Sequence, residues 1–196
     1  DEDAKYQYKR VLGFYYMILM ITCIFVTMWG KEIIALMSNS AYGAAYLLLP
    51  GLLFGQVMYG VSVIVGYGLS FEKKTNYIFA ANVIGAVLNI ILNFAFIPSF
   101  GVEAAAYTTY VGYFVMAILL YVFAQKFYPC DYAISKVIIS NVIIIALATF
   151  MNHYEMALGI RALLTAASLA LIFILYRDAI KDIFMILVRV KRKIRG

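Results

Sequence analysis

The chain has 196 residues, 65% hydrophobic and 13% charged, against about 45–50% and about 25% in soluble domains. A water-soluble fold of this size cannot hide so much apolar surface, so soluble classes are excluded. The net charge of +6 is spread over four segments, with no basic patch interleaved with aromatics. That argues against nucleic acid and for anionic inner-leaflet phospholipid as its partner.

Six apolar stretches follow in chain order: Val11–Trp29, Ala44–Phe71, Tyr77–Ile97, Val102–Ala124, Val137–Met151 and Ile160–Tyr176. A hydrocarbon core about 30 Å thick takes about 20 helical residues at 1.5 Å rise. The fifth stretch is short by that measure, and the second is long enough to tilt or kink near Pro50. The expectation is an all-α polytopic membrane protein: a linker at 1–10, six transmembrane helices within 11–176, and a cytoplasmic tail at 177–196.

With the amino-terminal end inside, fourteen of the sixteen Lys and Arg fall on the cytoplasmic side, and only Lys31 and Arg161 fall outside. Retention of basic residues on the cytoplasmic face sets this orientation, with both ends inside. A rival arrangement splits Ile33–Phe71 at Pro50-Gly51 into two short helices and weakens the bias to twelve against four. In the tail, Ile180, Ile183, Phe184, Leu187 and Val190 recur at helical spacing ahead of Lys191-Arg192-Lys193. This pattern predicts an amphipathic basic helix on the inner leaflet, each basic residue adding about 1 kcal/mol near an anionic surface. The opening Asp1-Glu2-Asp3 reads as a linker, so the chain is expected to be the carboxy-terminal part of a longer protein with further helices upstream.

Cys23 and Cys130 fall at different membrane levels, so no disulfide is expected between them, and the single His153 leaves no metal set. No phosphate loop, carboxylate pair or Ser/His arrangement marks an enzyme, and no cofactor is implied.

Polar residues inside spans carry the most information, because lipid cannot satisfy them. In the third span Asn82, Asn89 and Asn93 lie seven and four residues apart, on one helical face. They either bond a neighbouring helix or line a hydrophilic path. In the second span Gly51 and Gly55 form a Gly-x-x-x-Gly pair suited to close helix approach, and Gln56 with Tyr59 forms a polar patch. In the fourth, Tyr107, Tyr110 and Tyr113 drift round one side as a candidate aromatic wall beside Thr108 and Thr109. Glu103 is the candidate for ion coupling and Arg161 for anion contact, each at the head of a span. Substrate-pathway candidates are therefore Asn82, Asn89, Asn93, Gln56, Tyr59, Tyr107 and Tyr110.

The stretch Asn89-Ile90-Ile91-Leu92-Asn93 through Pro98 and Gly101 to Glu103-Ala104-Ala105-Ala106-Tyr107-Thr108-Thr109 resembles polysaccharide (Wzx-type) flippases. In that family N-x-x-x-N ends in a hydrophobic-Pro turn and G-x-x-G-A-A-x-A-T opens the next helix. Ala104 stands here for the second Gly and Thr108 for Ala, both small. The Gly-rich span ending in Phe71-Glu72-Lys73-Lys74-Thr75 is similar as well, so the resemblance covers roughly residues 5 to 125. It implies the multidrug/oligosaccharide-lipid/polysaccharide (MATE-like) exporter superfamily, with two lobes around a cavity and Asn89 and Asn93 facing it. The implied activity is alternating-access transfer of undecaprenyl-pyrophosphate-linked oligosaccharide across the bacterial cytoplasmic membrane for O-antigen, capsule or exopolysaccharide. Other membrane proteins of polysaccharide assembly are the implied partners. A drug or cation antiporter of the same superfamily, a glycan polymerase or ligase, and a purely structural subunit stay open as alternatives.

Overall fold

A computed structural model describes residues 2–37, 45–153 and 157–181 of the chain. Among these the architecture is all-helical: α1 (Glu2–Met37), α2 (Leu49–Phe71), α3 (Thr75–Phe100), α4 (Val102–Phe127), α5 (Ile134–His153) and α6 (Leu158–Leu175). Five are long and apolar enough to cross a membrane: α1, α2 with the turn before it, α3, α4 and α6. The exception is α5, whose apolar part, Ile134–Ala148, is shorter and opens with Ser135, Lys136, Ser140 and Asn141. The chain is a polytopic all-α membrane protein.

Helix bounds differ from the apolar runs where polar residues can stay helical in the headgroup layer. α1 has 36 residues, about 54 Å at 1.5 Å each, and it takes in residues 2–10, expected as a linker. Ile33 to Met37 continue α1, and Pro50 stands in the first turn of α2. There its missing N–H costs no hydrogen bond. Pro50 thus opens a helix, and neither the expected kink nor the seven-helix arrangement is formed. Pro98 lies inside α3, one turn from its end, and Gly101 alone links α3 to α4. Gly101 has φ 68°, a backbone open to Gly at little cost. Residues 177–181 are helical after a turn at Tyr176; the rest of the expected amphipathic tail lies outside the described residues.

α4 is clasped between α2 and α3, and α1 joins α2 on one side to α5 and α6 on the other. Close approach explains the first of these contacts. A Cβ at Gly51 would stand 2.9 Å from Ala106 Cβ and 3.0 Å from the Ala106 carbonyl carbon, whereas Gly55 leaves 3.5 Å to the nearest Tyr113 atom. The Gly-x-x-x-Gly pair therefore faces α4, as small residues do where lipid gives no hydrophobic drive and packing must hold helices together. Gly60 turns to α1 instead, and the Tyr15 ring occupies the space a Cβ would take. Tyr15 also donates to the Gln56 carbonyl at 3.4 Å. α3 packs on α4 along one face and leaves most of its other side chains exposed, with only Ala81 and Gly85 buried.

Contacts at the two ends agree on which segments share a level. Lys9 pairs with Asp131, Cys130 Sγ donates to the Lys5 carbonyl at 3.4 Å, and Lys136 pairs with Asp178 at 3.2 Å. Lys74 lies over the Phe127 ring, 5.3 Å from its centre. The start of α1, the α2–α3 turn, the α4–α5 loop and the end of α6 thus gather at one basic end. Arg161 and Glu32 meet at the other.

Candidate functional site

Helical periodicity puts Leu52, Gln56, Tyr59, Val63, Tyr67 and Ser70 on one exposed stripe of α2, while most of its other residues are buried against α1 and α4. Between this stripe, α3 and α4 lie two adjoining cavities. The first, about 360 Å³, is lined by Tyr59, Asn82, Asn89, Thr109 and Tyr113, with Gly85, Ala86, Gly112 and Met116 as its floor. The second, about 280 Å³, shares Tyr59 and Asn82 and adds Ser62, Tyr67, Ser70 and Ile78. Together they make a groove running toward the α2–α3 turn. Its narrow floor depends on two glycines: a Cβ at Gly85 would stand 3.0 Å from the Gly112 carbonyl oxygen, and one at Gly112 as close to the Gly85 oxygen.

Asn82, Asn89 and Tyr59 come together here; the other pathway candidates go elsewhere. Asn89 and Asn93 bind α4 in a directed chain. Thr108 Oγ1 donates to Asn93 Oδ1, Asn93 Nδ2 donates to Asn89 Oδ1 at 3.1 Å, and Asn89 Nδ2 donates to Thr109 Oγ1 at 3.3 Å. Thr109 Oγ1 in turn donates to the Ala105 carbonyl at 2.8 Å. Interhelical bonding thus occupies both amides, although Asn89 still borders the groove. Asn82 differs: it donates to the Ile78 carbonyl of its own helix at 2.7 Å.

The three tyrosines of α4 do not form one wall. Each three-residue step turns a side chain by about 60° round the helix, so they fan out. Tyr113 meets Tyr59 with ring centres 5.3 Å apart and joins the groove. Tyr110 packs into the core on Phe54 and Phe114, and Tyr107 borders a separate apolar cavity of about 520 Å³ with Glu103, Phe96 and Phe100. Gln56 is exposed beside Tyr59 but lines neither cavity.

Arg161, the candidate for anion contact, finds its anion within the chain. Both terminal nitrogens bond Glu32, each at 2.7 Å, and Nη2 also donates to the Met28 carbonyl at 2.7 Å. The guanidinium lies 4.7 Å from the centre of the Trp29 ring. This clamp fastens the head of α6 to the end of α1.

Sequence reasoning missed a polar knot among α1, α5 and the turn after α6. Tyr16 donates to the Val137 carbonyl at 3.0 Å, the Asn141 amide donates to Tyr16 Oη, and Ser140 Oγ lies 3.4 Å from Tyr176 Oη. All four side chains are buried. The signal was present, since Ser140-Asn141 interrupts an apolar run. It also missed Tyr67 and Ser70, whose spacing from Tyr59 marks the same stripe, and the buried Ser62 beside it.

Comparison with known proteins adds to this geometry. Residues 2–95 match the MatE family model. Over 149 residues, 76% of this chain, the sequence is 26% identical to the probable low-salt glycan biosynthesis flippase Agl15 of Haloferax volcanii. The match covers 32% of that relative, so the chain spans about a third of its length. No solved structure matches the chain. Residues 2–95, which hold α1, α2 and the amide face of α3, are thus similar to the MatE family, in keeping with the exporter superfamily that the motifs resemble.

Proposed function

We propose that the chain forms part of a flippase that moves a lipid-linked oligosaccharide across the cytoplasmic membrane by alternating access. The observation that carries this reading is the groove of tyrosines, amides and hydroxyls between α2, α3 and α4, set among helices that expose many large apolar side chains. Aromatic faces and amide groups suit sugar rings and their hydroxyls. The Haloferax relative, named as a probable glycan biosynthesis flippase, points to the same class of cargo. In this reading the carrier is undecaprenyl pyrophosphate, the basic end of the bundle is cytoplasmic, and α3 faces the second lobe. The basic tail meets anionic phospholipid, and membrane proteins of polysaccharide assembly are its partners. The protein is then a transporter and not an enzyme, because flipping changes no covalent bond.

The drug or cation antiporter is the second reading. Its chemistry calls for a carboxylate deep in a span. Among the described residues Glu2, Asp3, Glu32, Glu72, Glu103, Asp131 and Asp178 all sit at helix ends or in loops, which favours the flippase. Deleting the gene tests the choice. Build-up of carrier-linked repeat units, inaccessible from outside in intact spheroplasts, with loss of surface glycan, is the expected result. Units exposed at the outer face would put the block after flipping, in a polymerase or ligase step. Normal surface glycan with altered drug or cation sensitivity would replace the flippase with the antiporter.

A further inference from the structure

The groove has a chemical peculiarity that bears on what passes through it. Tyr59 and Asn82 belong to both cavities; Asn89 and Tyr113 stand on one side of them, Tyr67 and Ser70 on the other. Neither cavity is bordered by a Lys, Arg, His, Asp or Glu among the described residues. Cations gather instead past the end of the groove, at Lys73 and Lys74 in the α2–α3 turn.

We infer that the groove takes the uncharged sugars of the glycan and discriminates against carboxylated ones. This inference rests on the flippase reading and names the cargo for the same site. Three physical points support it. A neutral pyranose offers hydroxyls that Asn82 and Ser70 can bond and C–H faces that Tyr59, Tyr67 and Tyr113 can cover. A carboxylate entering the same lane sheds water and meets no cation, and an uncompensated charge in a low-dielectric site is costly. The carrier's phosphates are common to both kinds of cargo, so they cancel from the comparison and leave the difference to the sugars in the lane.

The test uses the complete gene product in lipid vesicles and two polyprenyl-pyrophosphate-linked oligosaccharides of equal length. One contains neutral hexoses only; the other has one hexose replaced by a hexuronic acid. The neutral substrate is expected to cross at least about tenfold faster, a difference of one tenfold step in transition-state free energy. Asn82→Lys, which puts a cation into both cavities, is expected to narrow or reverse that preference while the protein remains in the membrane. Equal or faster transfer of the acidic substrate by the unaltered protein would overturn the inference and leave the flippase intact. An unchanged preference in Asn82→Lys would also overturn it, by showing that selection occurs elsewhere. If neither substrate crosses, the flippase reading itself fails.

Discussion

Asn89 of α3 donates to Thr109 Oγ1 of α4 at 3.3 Å, and this one bond changes the meaning of the amide face. Three asparagines in line on a lipid-facing helix suggest a path for a polar cargo. Two of the three, Asn89 and Asn93, use their amides to knit α3 to α4, on a helix with few buried side chains. Asn82 is left to the groove.

The two roles separate by mutation. Asn93→Ala and Thr108→Val, measured singly and together by denaturation in mixed detergent, should show a coupling of about 0.6 kcal/mol, and no more than about 1.7 kcal/mol. Asn82→Leu should leave stability nearly unchanged and slow transport. A destabilised Asn82→Leu, or no coupling between Asn93 and Thr108, would reverse the assignment. Asn89→Leu with Asn93→Leu should still insert but lose transport and stability together.

The Gly-x-x-x-Gly pair gives an asymmetric expectation. At Gly51 a new Cβ meets Ala106 backbone and side chain at 2.9–3.0 Å, and neither is the far end of a flexible chain. Gly51→Ala should therefore cost about 1–3 kcal/mol by overpacking. Gly55→Ala, with 3.5 Å to its nearest neighbour, should cost less than 1 kcal/mol by the same scale. Thermal unfolding of the two purified variants in detergent decides between this contrast and equal tolerance.

Arg161 and Glu32 act as a single clamp. The Arg161 side chain is 13% exposed but that of Glu32 is 46% exposed, so solvent screens part of the attraction. Removing either charge should destabilise by about 1–3 kcal/mol, the range for hydrogen bonds to charged groups. Arg161→Lys should recover little, because a lysine cannot bond both carboxylate oxygens in a fork. The double variant should be no worse than either single one. An additive double variant would mean that the two side chains do different work.

Cys130 reports on the docking of the α4–α5 loop. Burial pushes its thiol above the ordinary range, which disfavours the reactive thiolate. Labelling by a maleimide near pH 7 should be slow and should accelerate as pH rises through the thiol's raised pKa. Asp131→Ala, which removes the partner of Lys9, should loosen the loop and speed labelling at pH 7. A rate already equal to that of a free cysteine would show that the loop does not dock on α1.

Hydropathy alone was enough to locate a helix in each of the six apolar stretches, because a bilayer demands apolar length and internally satisfied backbone whatever the neighbours are. The fifth apolar run is short in the sequence, although its helix α5 reaches 20 residues. The motif around Asn89, Pro98 and Gly101 carried the family resemblance, and the MatE match over residues 2–95, which reaches Asn89 and Asn93, agrees with it. What periodicity could not supply was the partner of each face. A helical wheel shows that Tyr107, Tyr110 and Tyr113 drift together; only the placement of α2 and α3 sends one to an apolar cavity, one to the core and one to the groove. Likewise Arg161 at a helix head reads as an anion site until folding brings Glu32 to it from 129 positions away. Sequence thus determined the class and the family resemblance, which depend on the chain's own composition and local order. Tertiary structure decided which polar groups satisfy one another and which remain for a ligand, because that depends on distances between residues remote along the chain.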